Sequence, residues 1–253
     1  MNAILVRLAS AAVLLALTTA PAGAGERPVV VELFTSEGCS SCPPADRVLA
    51  ELVERDGLLP LSFHVTYWDR LGWPDSLGLE DASERQRRYA SAMGRGRVYT
   101  PQMVIEGRAE LVGSRRGAVH EVIALLQERL RPGPVLAVEG ARLKVGAGAG
   151  PGILWLLAFD HRHDVRIQRG ENAGRTITYR NVVRSLRQLA RWDGEPLEVA
   201  LPLAELEAAG RDALAVLLQV PDEGPILGAV RLDLGRPADQ SVSSAIDSSS
   251  SPK

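Results

Sequence analysis

The sequence predicts an α/β domain followed by a smaller β-rich, sandwich-like domain. In the first half, a strand, a helix and a second strand follow one another within residues 29–67, and such a crossover implies parallel strands. In the second half, short alternating segments separated by Gly, Pro, Asp and Asn are typical of an antiparallel sandwich. The segment RPGP at residues 131–134 separates the two patterns. We therefore assign residues 25–132 to the first domain and residues 135–235 to the second.

Each element of the first domain follows from a periodic pattern bounded by turn residues. The β-branched run at residues 29–34 predicts a strand covered on both faces. Apolar residues at helical spacing in residues 45–55 predict a helix that ends at Gly57. The further elements are a strand at 59–67, an aromatic loop at 67–75, a helix at 79–93, a hairpin at 102–106 and 110–113, and a helix at 114–130 capped by Ser114.

The second domain is predicted to consist mainly of short strands, because its apolar segments are brief and turn residues separate them. Residues 185–192 fit a short helix as well as a strand. The predicted strands are residues 135–138, 141–145, 153–159, 165–168, 176–183, 197–201, 213–220 and 226–234.

The two ends of the chain predict export and disorder. Arg7 precedes an apolar core at residues 8–17, and the small residues at 22–24 are typical of a cleavage site, so residues 1–24 are predicted to be a secretory signal peptide. The apolar core is shorter than the roughly 20 residues that span a membrane. We expect a periplasmic or secreted protein with no membrane insertion after signal cleavage. Residues 236–253 offer little to bury and are predicted to be disordered.

Composition and motifs exclude several classes of function. The formal net charge of the 253-residue chain is -2, so there is no excess of basic residues of the kind that nucleic acid binding requires, and we expect no nucleic acid partner. No glycine-rich phosphate loop, Ser-His-Asp set or paired carboxylates stand out, so hydrolase and nucleotide-binding functions lack support. We expect no cofactor.

Cys39 and Cys42 are the only cysteines in the chain, and their spacing admits three interpretations. An inert disulfide is possible, although closing a four-residue loop stabilises by only roughly 2 kcal/mol. A copper or zinc site would need more ligands, which His161 and His163 could supply as a Cys₂His₂ set. A redox pair explains both the spacing and the position between a strand and a helix.

The redox interpretation rests on the helix N-terminus. Unpaired N–H groups and the helix dipole stabilise a thiolate there and lower its pKa. Cys39 would attack a substrate disulfide, and Cys42 would resolve the mixed disulfide. Pro43 and Pro44 weaken this argument, because prolines remove two N–H donors and push the preceding residue away from helical geometry. The regular helix is therefore expected to begin at Pro43 or Pro44.

The order of elements from about residue 28 to residue 130 resembles the thioredoxin superfamily. In that superfamily the proline before the third strand is cis and packs against the cysteine pair. The residue before that proline offers backbone hydrogen bonds to a substrate peptide. The resemblance assigns these positions to Pro101 and Thr100. The sequence departs from thioredoxin in having Gly38 before the first cysteine and two serines between the cysteines, so no redox potential is implied.

Longer motifs resemble one bacterial family of exported proteins, the DUF1223 family. The matching segments are ELFTSEGCSSCPPAD, HVTYWDRLGWPD, RQRRY, VYTPQMVIEG and RGENAGRTITYRNVVR, within residues 27–234. The resemblance implies a thioredoxin-like domain with a β-rich C-terminal partner. It supplies no substrate.

Two loops are candidates to lie beside the cysteines. The loop after the second strand carries Trp68 and Trp73, which could form a substrate groove or pack beneath the loop. Asp69 in the same loop is expected to hydrogen-bond locally. The segment RGENAGR at residues 169–175 has the composition of a tight turn. It is either a solvated hairpin turn or a cover that restricts access to the thiols.

The sequence therefore predicts an exported thiol-disulfide oxidoreductase that uses Cys39 and Cys42 as a catalytic pair. Thr100, Pro101, Trp68 and Trp73 are the candidate substrate-binding residues. The expected partners are protein or small-thiol disulfides, with a membrane redox protein as a possible source or acceptor of electrons. The alternatives are a metal-binding protein and a non-enzymatic interaction protein with a thioredoxin fold.

Overall fold

The computed structural model describes residues 27–235, which form a mixed α/β fold with one large mixed sheet and one small antiparallel sheet. The predicted signal peptide at 1–24 and the predicted disordered tail at 236–253 lie outside the described residues. Within residues 27–235, no helix is both long enough and apolar enough to cross a membrane.

The strands are β1 (Val29–Thr35), β2 (Leu58–His64), β3 (Gln102–Ile105), β4 (Ala109–Val112), β5 (Leu136–Glu139), β6 (Arg142–Val145), β7 (Gly152–Arg166), β8 (Thr176–Trp192), β9 (Leu197–Ala200), β10 (Ala213–Gln219) and β11 (Ile226–Asp233). The helices are α1 (Pro43–Val53), α2 (Glu80–Ala92), α3 (Arg116–Arg129) and α4 (Leu203–Ala208), with a 3₁₀ turn at Asp69–Leu71.

The large sheet runs through both halves of the chain, in the order β11-β10-β7-β8-β2-β1-β3-β4. β8 pairs along its length with β7 and joins β2 in parallel where Val182 meets Ser62. Asn181 supports this junction by donating from Nδ2 to the Pro60 carbonyl at 2.9 Å. The expected arrangement of a thioredoxin-like domain followed by a separate sandwich is therefore not confirmed, because strands from both halves share one sheet. The small sheet has the order β5-β6-β9.

The two faces of the large sheet are buried by different elements. Alternate residues of a strand point to opposite faces, so Val30 and Phe34 contact the α2 side, whereas Val31 and Leu33 contact α1 and α3. The core on the α2 side continues without interruption onto β7 and β10. On the opposite face, the small sheet and α4 cover β7 and β10. Residues from both halves of the chain therefore contribute to one core on the α2 side of the large sheet.

A buried polar network links α2 to both halves of the sheet. Arg85 on α2 donates from Nε to Glu32 Oε1 on β1 at 2.6 Å and from Nη2 to Gln219 Oε1 on β10 at 3.0 Å. The Tyr89 hydroxyl accepts from Arg85 and donates to Glu32. Burial by itself lowers the pKa of Arg85, but the Glu32 carboxylate outweighs this and raises it. The guanidinium therefore stays charged inside the core.

Most sequence-predicted elements are present, with two corrections and one open alternative that the structure resolves. Ser114 does not cap α3, since Arg115 occupies the N-cap position and no side chain caps the helix. Residues 185–192, which fitted a helix or a strand, are the end of β8. The separate strands expected at 153–159 and 165–168 are largely one continuous strand, β7, because it pairs with β8 from Gly152 to Arg166.

Removing the Arg85 charge should strongly destabilise the fold. Arg85→Met leaves the Glu32 carboxylate buried without its ion partner, which costs about 3–5 kcal/mol of unfolding free energy. Arg87 on the same helix forms an ion pair with Glu80 in which both side chains are at least half exposed, so Arg87→Ala should cost less than about 1 kcal/mol. Urea unfolding of both variants measures the difference. Equal losses in the two variants would contradict a structural role for the buried network.

Candidate functional site

The cysteine pair lies in the turn between β1 and α1, and the two cysteines form a disulfide. Hydrogen bonds from Cys39 N to Ser36 O at 3.1 Å and from Cys42 N to Cys39 O at 3.2 Å define the turn. The amide groups of Ala45 and Asp46 then donate to Cys42 O. The predicted position of the pair, after a strand and before a helix, is confirmed.

The helix begins at Pro43, as the two prolines predict. Cys42 is its N-cap and has helical backbone angles, φ -78° and ψ -38°, although a residue before proline usually avoids them. Pro43 suits the first helical position, where no N–H partner is needed. The serine hydroxyls do not cap α1. Instead, Ser41 Oγ lies 3.4 Å from Cys39 Sγ, in hydrogen-bonding contact with the sulfur.

Thr100 and Pro101 lie beside the cysteine turn. β3 pairs antiparallel with β1, with Gln102 opposite Phe34. Thr100 and Pro101, which precede Gln102, therefore lie opposite the residues that follow Phe34 and lead into the cysteine turn. The Thr100–Pro101 peptide bond is cis, as the resemblance to the thioredoxin superfamily implied. Thr100 Oγ1 accepts a hydrogen bond from Trp68 Nε1 at 2.8 Å. A Cβ at Gly38 would lie 3.3 Å from Trp68 Cβ, so Trp68 occupies the space beside Gly38.

Trp73 is tied to the cysteine turn by a hydrogen bond. Its Nε1 donates to Glu37 Oε2 at 2.5 Å, and Ser76 Oγ donates to Glu37 Oε1 at 2.6 Å. Asp75 Oδ2 accepts from the Glu37 amide at 2.8 Å, while Asp69 Oδ1 accepts from the Asp75 amide within the loop. The structure therefore brings Trp68, Trp73 and Thr100 together around the cysteine turn. The local hydrogen bond expected for Asp69 is present.

A group of buried titratable side chains, which the sequence interpretation did not identify, lies behind the disulfide. His64, at the end of β2, contacts Asp75 through Nδ1 at 2.9 Å. Asp46, one helical turn after Cys42, accepts from Thr35 Oγ1 at 2.8 Å. Tyr179 of β8 stacks edge-on against His64 with ring centroids 4.5 Å apart. We call His64, Asp75, Asp46 and Tyr179 the buried polar cluster. In the sequence, the one signal that could have pointed to this cluster is the i, i+4 spacing of Cys42 and Asp46, which places both residues on one face of the predicted helix.

Burial and mutual charge shift the pKa values in the buried polar cluster. Burial raises the pKa of Asp46 to about 7, although the positive charge of His64 opposes it. Burial alone would lower the pKa of His64, but Asp75 and then Asp46 outweigh it and raise the value. Burial would raise the pKa of Asp75, but His64 and hydrogen bonds lower it to about 2. The raised pKa of His64 and the lowered pKa of Asp75 both favour the charged forms of this pair, whereas the pKa of about 7 allows Asp46 to gain or lose a proton near neutral pH.

Three polar atoms in the buried polar cluster have no hydrogen-bond partner among the described residues. They are Asp46 Oδ2, His64 Nε2 and the Tyr179 hydroxyl. Buried polar atoms of this kind are uncommon, because each costs free energy. The three come from α1, β2 and β8, and their charges act on one another. They give the region behind the disulfide spare capacity to donate and accept hydrogen bonds.

The turn at residues 167–175 covers the cysteines. Asn172 is only 1% exposed and donates from Nδ2 to Glu37 O and Cys39 O, both at 2.9 Å. Of the two possibilities that the sequence left open, a solvated turn or a cover, the geometry is that of a cover. Both cysteines are 0% exposed, although Ser40 and Ser41 between them are exposed.

The histidines considered as metal ligands are engaged elsewhere. His161 Nε2 contacts Asp233 at 3.1 Å, and His163 Nε2 contacts Asp160 at 2.9 Å. In the part of the chain that the structure describes, no group of three or more His, Cys, Asp or Glu side chains is placed to hold a metal ion. With the two sulfurs joined as a disulfide, the proposed Cys₂His₂ set is not assembled.

The His64–Asp75 pair should give a distinctive dependence of stability on pH. His64 has a pKa raised above 6.5, so its contribution is complete below pH 6.5 and is lost as the pH rises through the raised value. Asp75 has a pKa lowered from 3.8 to about 2, so its contribution is present above pH 3.8 and is lost as the pH falls through about 2. Asp75→Asn should lower the free energy of unfolding by about 3 kcal/mol at pH 5. The loss should be smaller at low pH, where Asp75 is protonated, and at high pH, where His64 is neutral.

Urea unfolding of the wild type and Asp75→Asn across this pH range tests the expectation. Asp56→Asn is the control, since Asp56 is exposed. A difference between the wild type and Asp75→Asn that does not change with pH would show that the pair is not ionised.

Comparisons with known proteins place this geometry in a family. The sequence model for "Protein of unknown function (DUF1223)" matches residues 30–219. A crystal structure of a protein from Agrobacterium tumefaciens is 32% identical, with a TM-score of 0.70, and the alignment covers 82% of this chain and 94% of that chain. HBP35 of Porphyromonas gingivalis is 16% identical, with a TM-score of 0.53, and covers 90% of this chain and 81% of that one. The second likeness concerns the fold alone.

No match is found among curated proteins. The family model spans most of the chain, and it includes the cysteine turn, the Thr100–Pro101 segment and the turn that carries Asn172. The chain therefore belongs to the DUF1223 family.

Proposed function

We propose that the protein is an exported thiol-disulfide oxidoreductase that uses Cys39 and Cys42 as its redox pair. The observation that carries the proposal is the disulfide at the start of α1, directly after β1 and beside the cis Thr100–Pro101 segment. The order of a strand, a C-x-x-C helix, a strand and a cis-proline strand supports the thioredoxin-like character that we propose for the first half. A disulfide that closes a four-residue loop stabilises a fold by only roughly 2 kcal/mol. Stabilisation of the fold is therefore a weak explanation for the presence of this cysteine pair.

The chemistry is a reversible transfer of two electrons. In the reduced protein, the Cys39 thiolate attacks a substrate disulfide, forms a mixed disulfide and releases one substrate thiolate. The Cys42 thiolate then attacks Cys39 Sγ, so the second substrate thiol leaves and the Cys39–Cys42 disulfide forms. The pair is oxidised and the substrate is reduced. The reverse sequence oxidises a substrate dithiol and leaves Cys39 and Cys42 reduced.

Cys39 is assigned as the nucleophile because of its surroundings. It precedes the exposed Ser40 and Ser41, whereas Cys42 is the N-cap of α1 and carries two backbone hydrogen bonds of the helix. The Ser41 hydroxyl at 3.4 Å can donate a hydrogen bond to a Cys39 thiolate. Hydrogen bonds to the charged form favour ionisation and lower a pKa.

Asp46 is the proposed proton acceptor and donor for Cys42. The Asp46 amide donates to Cys42 O at 3.1 Å, so the two residues lie on one face of α1. A helical side chain leans toward the helix N-terminus, which directs the Asp46 carboxylate back toward Cys42. Its Oδ2 has no partner among the described residues, and burial raises its pKa to about 7. An acid with a pKa near the working pH transfers protons efficiently.

The proposed setting follows from the predicted signal peptide. In the periplasm or medium, disulfides persist, and the substrates are protein or small-thiol disulfides. A membrane redox partner would restore the reduced or the oxidised form of the pair. Thr100 and Trp68 lie at the cysteine turn, where they would contact such a substrate. Trp73 acts on the same turn through Glu37.

A second candidate is a structural disulfide in a non-enzymatic interaction protein. The complete burial of both cysteines favours this candidate, because a buried disulfide exchanges slowly. The two candidates differ in what happens when the disulfide is broken. A structural role predicts that breaking the disulfide lowers the free energy of unfolding. It also predicts that the freed thiols react with added disulfides no faster than an ordinary free thiol.

Substitution of the cysteines tests the proposed chemistry. Cys39→Ser should abolish disulfide exchange with a model substrate such as oxidised glutathione, while Cys42→Ala should accumulate a mixed disulfide on Cys39 because the resolving thiol is absent. Mass spectrometry of non-reduced protein detects the mixed species. Ser40→Ala, next to the nucleophile, is the control and should retain exchange. If the reduced wild-type protein exchanges with oxidised glutathione no faster than a free thiol does, the result would contradict the oxidoreductase proposal.

Substitution of Asp46 tests the proton transfer. Asp46→Asn should slow resolution of the mixed disulfide roughly 100-fold, at the low end of general acid–base effects, and should abolish an inflection near pH 7. The same change should raise stability more at pH 8 than at pH 5, because an acid with a raised folded-state pKa destabilises the fold as pH rises from 3.8 to about 7. Stopped-flow exchange and urea unfolding measure these effects. Loss of exchange without a changed pH profile would assign Asp46 a structural role.

A further inference from the structure

Half of the β7–β8 hairpin extends beyond the rest of the large sheet. β10 pairs with β7 only as far as Phe159, and β2 joins β8 only at Val182. Between these positions, β7 and β8 pair with each other alone in the described sheet. We call residues 160–182 the arm, and residues 167–175 its tip. The arm runs from the C-terminal half of the chain to the cysteine turn.

The root of the arm is firmly attached to the first half of the chain. Tyr179 packs against His64, and Arg180 Nη2 donates to Glu54 Oε1 at 2.9 Å. Asn181 Nδ2 bonds to the Pro60 carbonyl. These contacts place the arm along α1 and β2, so its tip is carried to the N-terminal end of α1, where the cysteines lie.

The tip has few buried contacts. Ile167 and Asn172 are its only buried residues, and the other seven residues of the tip are exposed. Within the tip, backbone hydrogen bonds link Ile167 N to Arg175 O at 2.9 Å and Gly174 N to Ile167 O at 2.8 Å. Arg175 Nη1 donates to Asn172 Oδ1 at 3.0 Å and orients the amide. The tip is thus a small folded unit that touches the cysteine turn through Asn172.

Asn172 holds the tip on the cysteine turn through two hydrogen bonds to Glu37 O and Cys39 O. Its side-chain amide satisfies two carbonyl groups that are buried when the tip is closed. A typical protein hydrogen bond shifts an equilibrium by only a few-fold to about tenfold. The closed position of the tip is therefore stabilised by a small number of modest interactions, while the core beneath it is extensively packed.

The closed tip is incompatible with disulfide exchange. An attacking thiolate must reach a cysteine sulfur in line with the disulfide bond, and both cysteines are 0% exposed. We propose that the arm tip is a gate over Cys39 and Cys42, and that Asn172 is the latch that keeps it closed. The inference rests on the proposed redox function for its biological meaning. Asn172 is a positioning residue that controls access, and it takes no part in the bond changes.

Chemical reduction by a phosphine tests the gate independently of enzyme activity. A water-soluble phosphine reduces the disulfide to two thiols and becomes the phosphine oxide, with its oxygen and both protons supplied by water. Thiol release from the oxidised protein is followed over time at several phosphine concentrations. Asn172→Ala should accelerate reduction roughly 10- to 30-fold, because two hydrogen bonds to the tip are lost. Glu171→Ala, exposed on the same tip, should leave the rate within twofold of the wild type.

Arg175→Ala is a second variant. It removes the hydrogen bond that orients the Asn172 amide, but Asn172 can still donate to Glu37 O and Cys39 O. It should give a smaller acceleration, and it keeps the test decisive if Asn172→Ala does not fold. Hydrogen exchange provides the matching structural readout. In Asn172→Ala, the Cys39 amide, which lies in the covered cysteine turn, should exchange faster, while the β1 amides should keep their protection.

Equal reduction rates in the wild type, Asn172→Ala and Arg175→Ala would overturn the gate. Accelerated reduction with equally faster exchange of the β1 amides would also overturn it, since this result indicates global unfolding. Because the phosphine requires no thiol substrate, a gated disulfide that fails to exchange with glutathione would support the gate and reject the redox function. The two proposals can therefore fail separately.

Discussion

β8 pairs with both β7 and β2, and this double pairing joins the two halves of the chain into one sheet. A single parallel junction at Ser62 and Val182 joins the sheet of the first half to that of the second, and a shared hydrophobic core surrounds it. The same strand continues past the junction to bring Tyr179 to His64 and Asn172 to Cys39. If β8 paired only with β7, the cysteine turn would have neither its cover nor part of its polar surroundings.

The two buried polar regions have opposite electrostatic character. In the core, the Arg85 guanidinium donates hydrogen bonds to Glu32, Tyr89 and Gln219, and these bonds fix a permanent positive charge there. Such networks are costly to disrupt, since removing one partner leaves a buried charge. Behind the cysteines, His64 and Asp75 form a stable pair, but Asp46 has a pKa of about 7 and an oxygen with no hydrogen-bond partner within residues 27–235. The first region suits a structural role, and the second suits one that involves proton movement.

The burial of the disulfide and the proposed exchange reaction are reconciled by the way the site is covered. Both cysteines are fully buried, and α1, which begins directly after them, packs its apolar face against β1, β3 and α3. From the outside, Asn172 covers them through two hydrogen bonds on an otherwise exposed tip. Local opening requires only the interactions of the opening segment to be lost, so it occurs far more often than global unfolding. A cover of this kind can protect a disulfide and still permit reaction.

Local patterns in the sequence predicted the cysteine turn, the start of α1 at Pro43 or Pro44, and most strands and helices of the first half, because these depend on periodicity and proline geometry. The resemblance to the thioredoxin superfamily added the cis-proline at Pro101. The sequence also identified Trp68 and Thr100, which the structure places in contact. It did not determine that the two halves share one sheet, since the junction joins Ser62 to Val182 across a long separation in sequence. Local patterns do not show which polar side chains meet behind and above the cysteines, because that depends on how distant strands pair. Asp46, His64, Asp75 and Asn172 each fit an ordinary helix, strand or turn, and their burial and hydrogen-bond partners follow from the strand order.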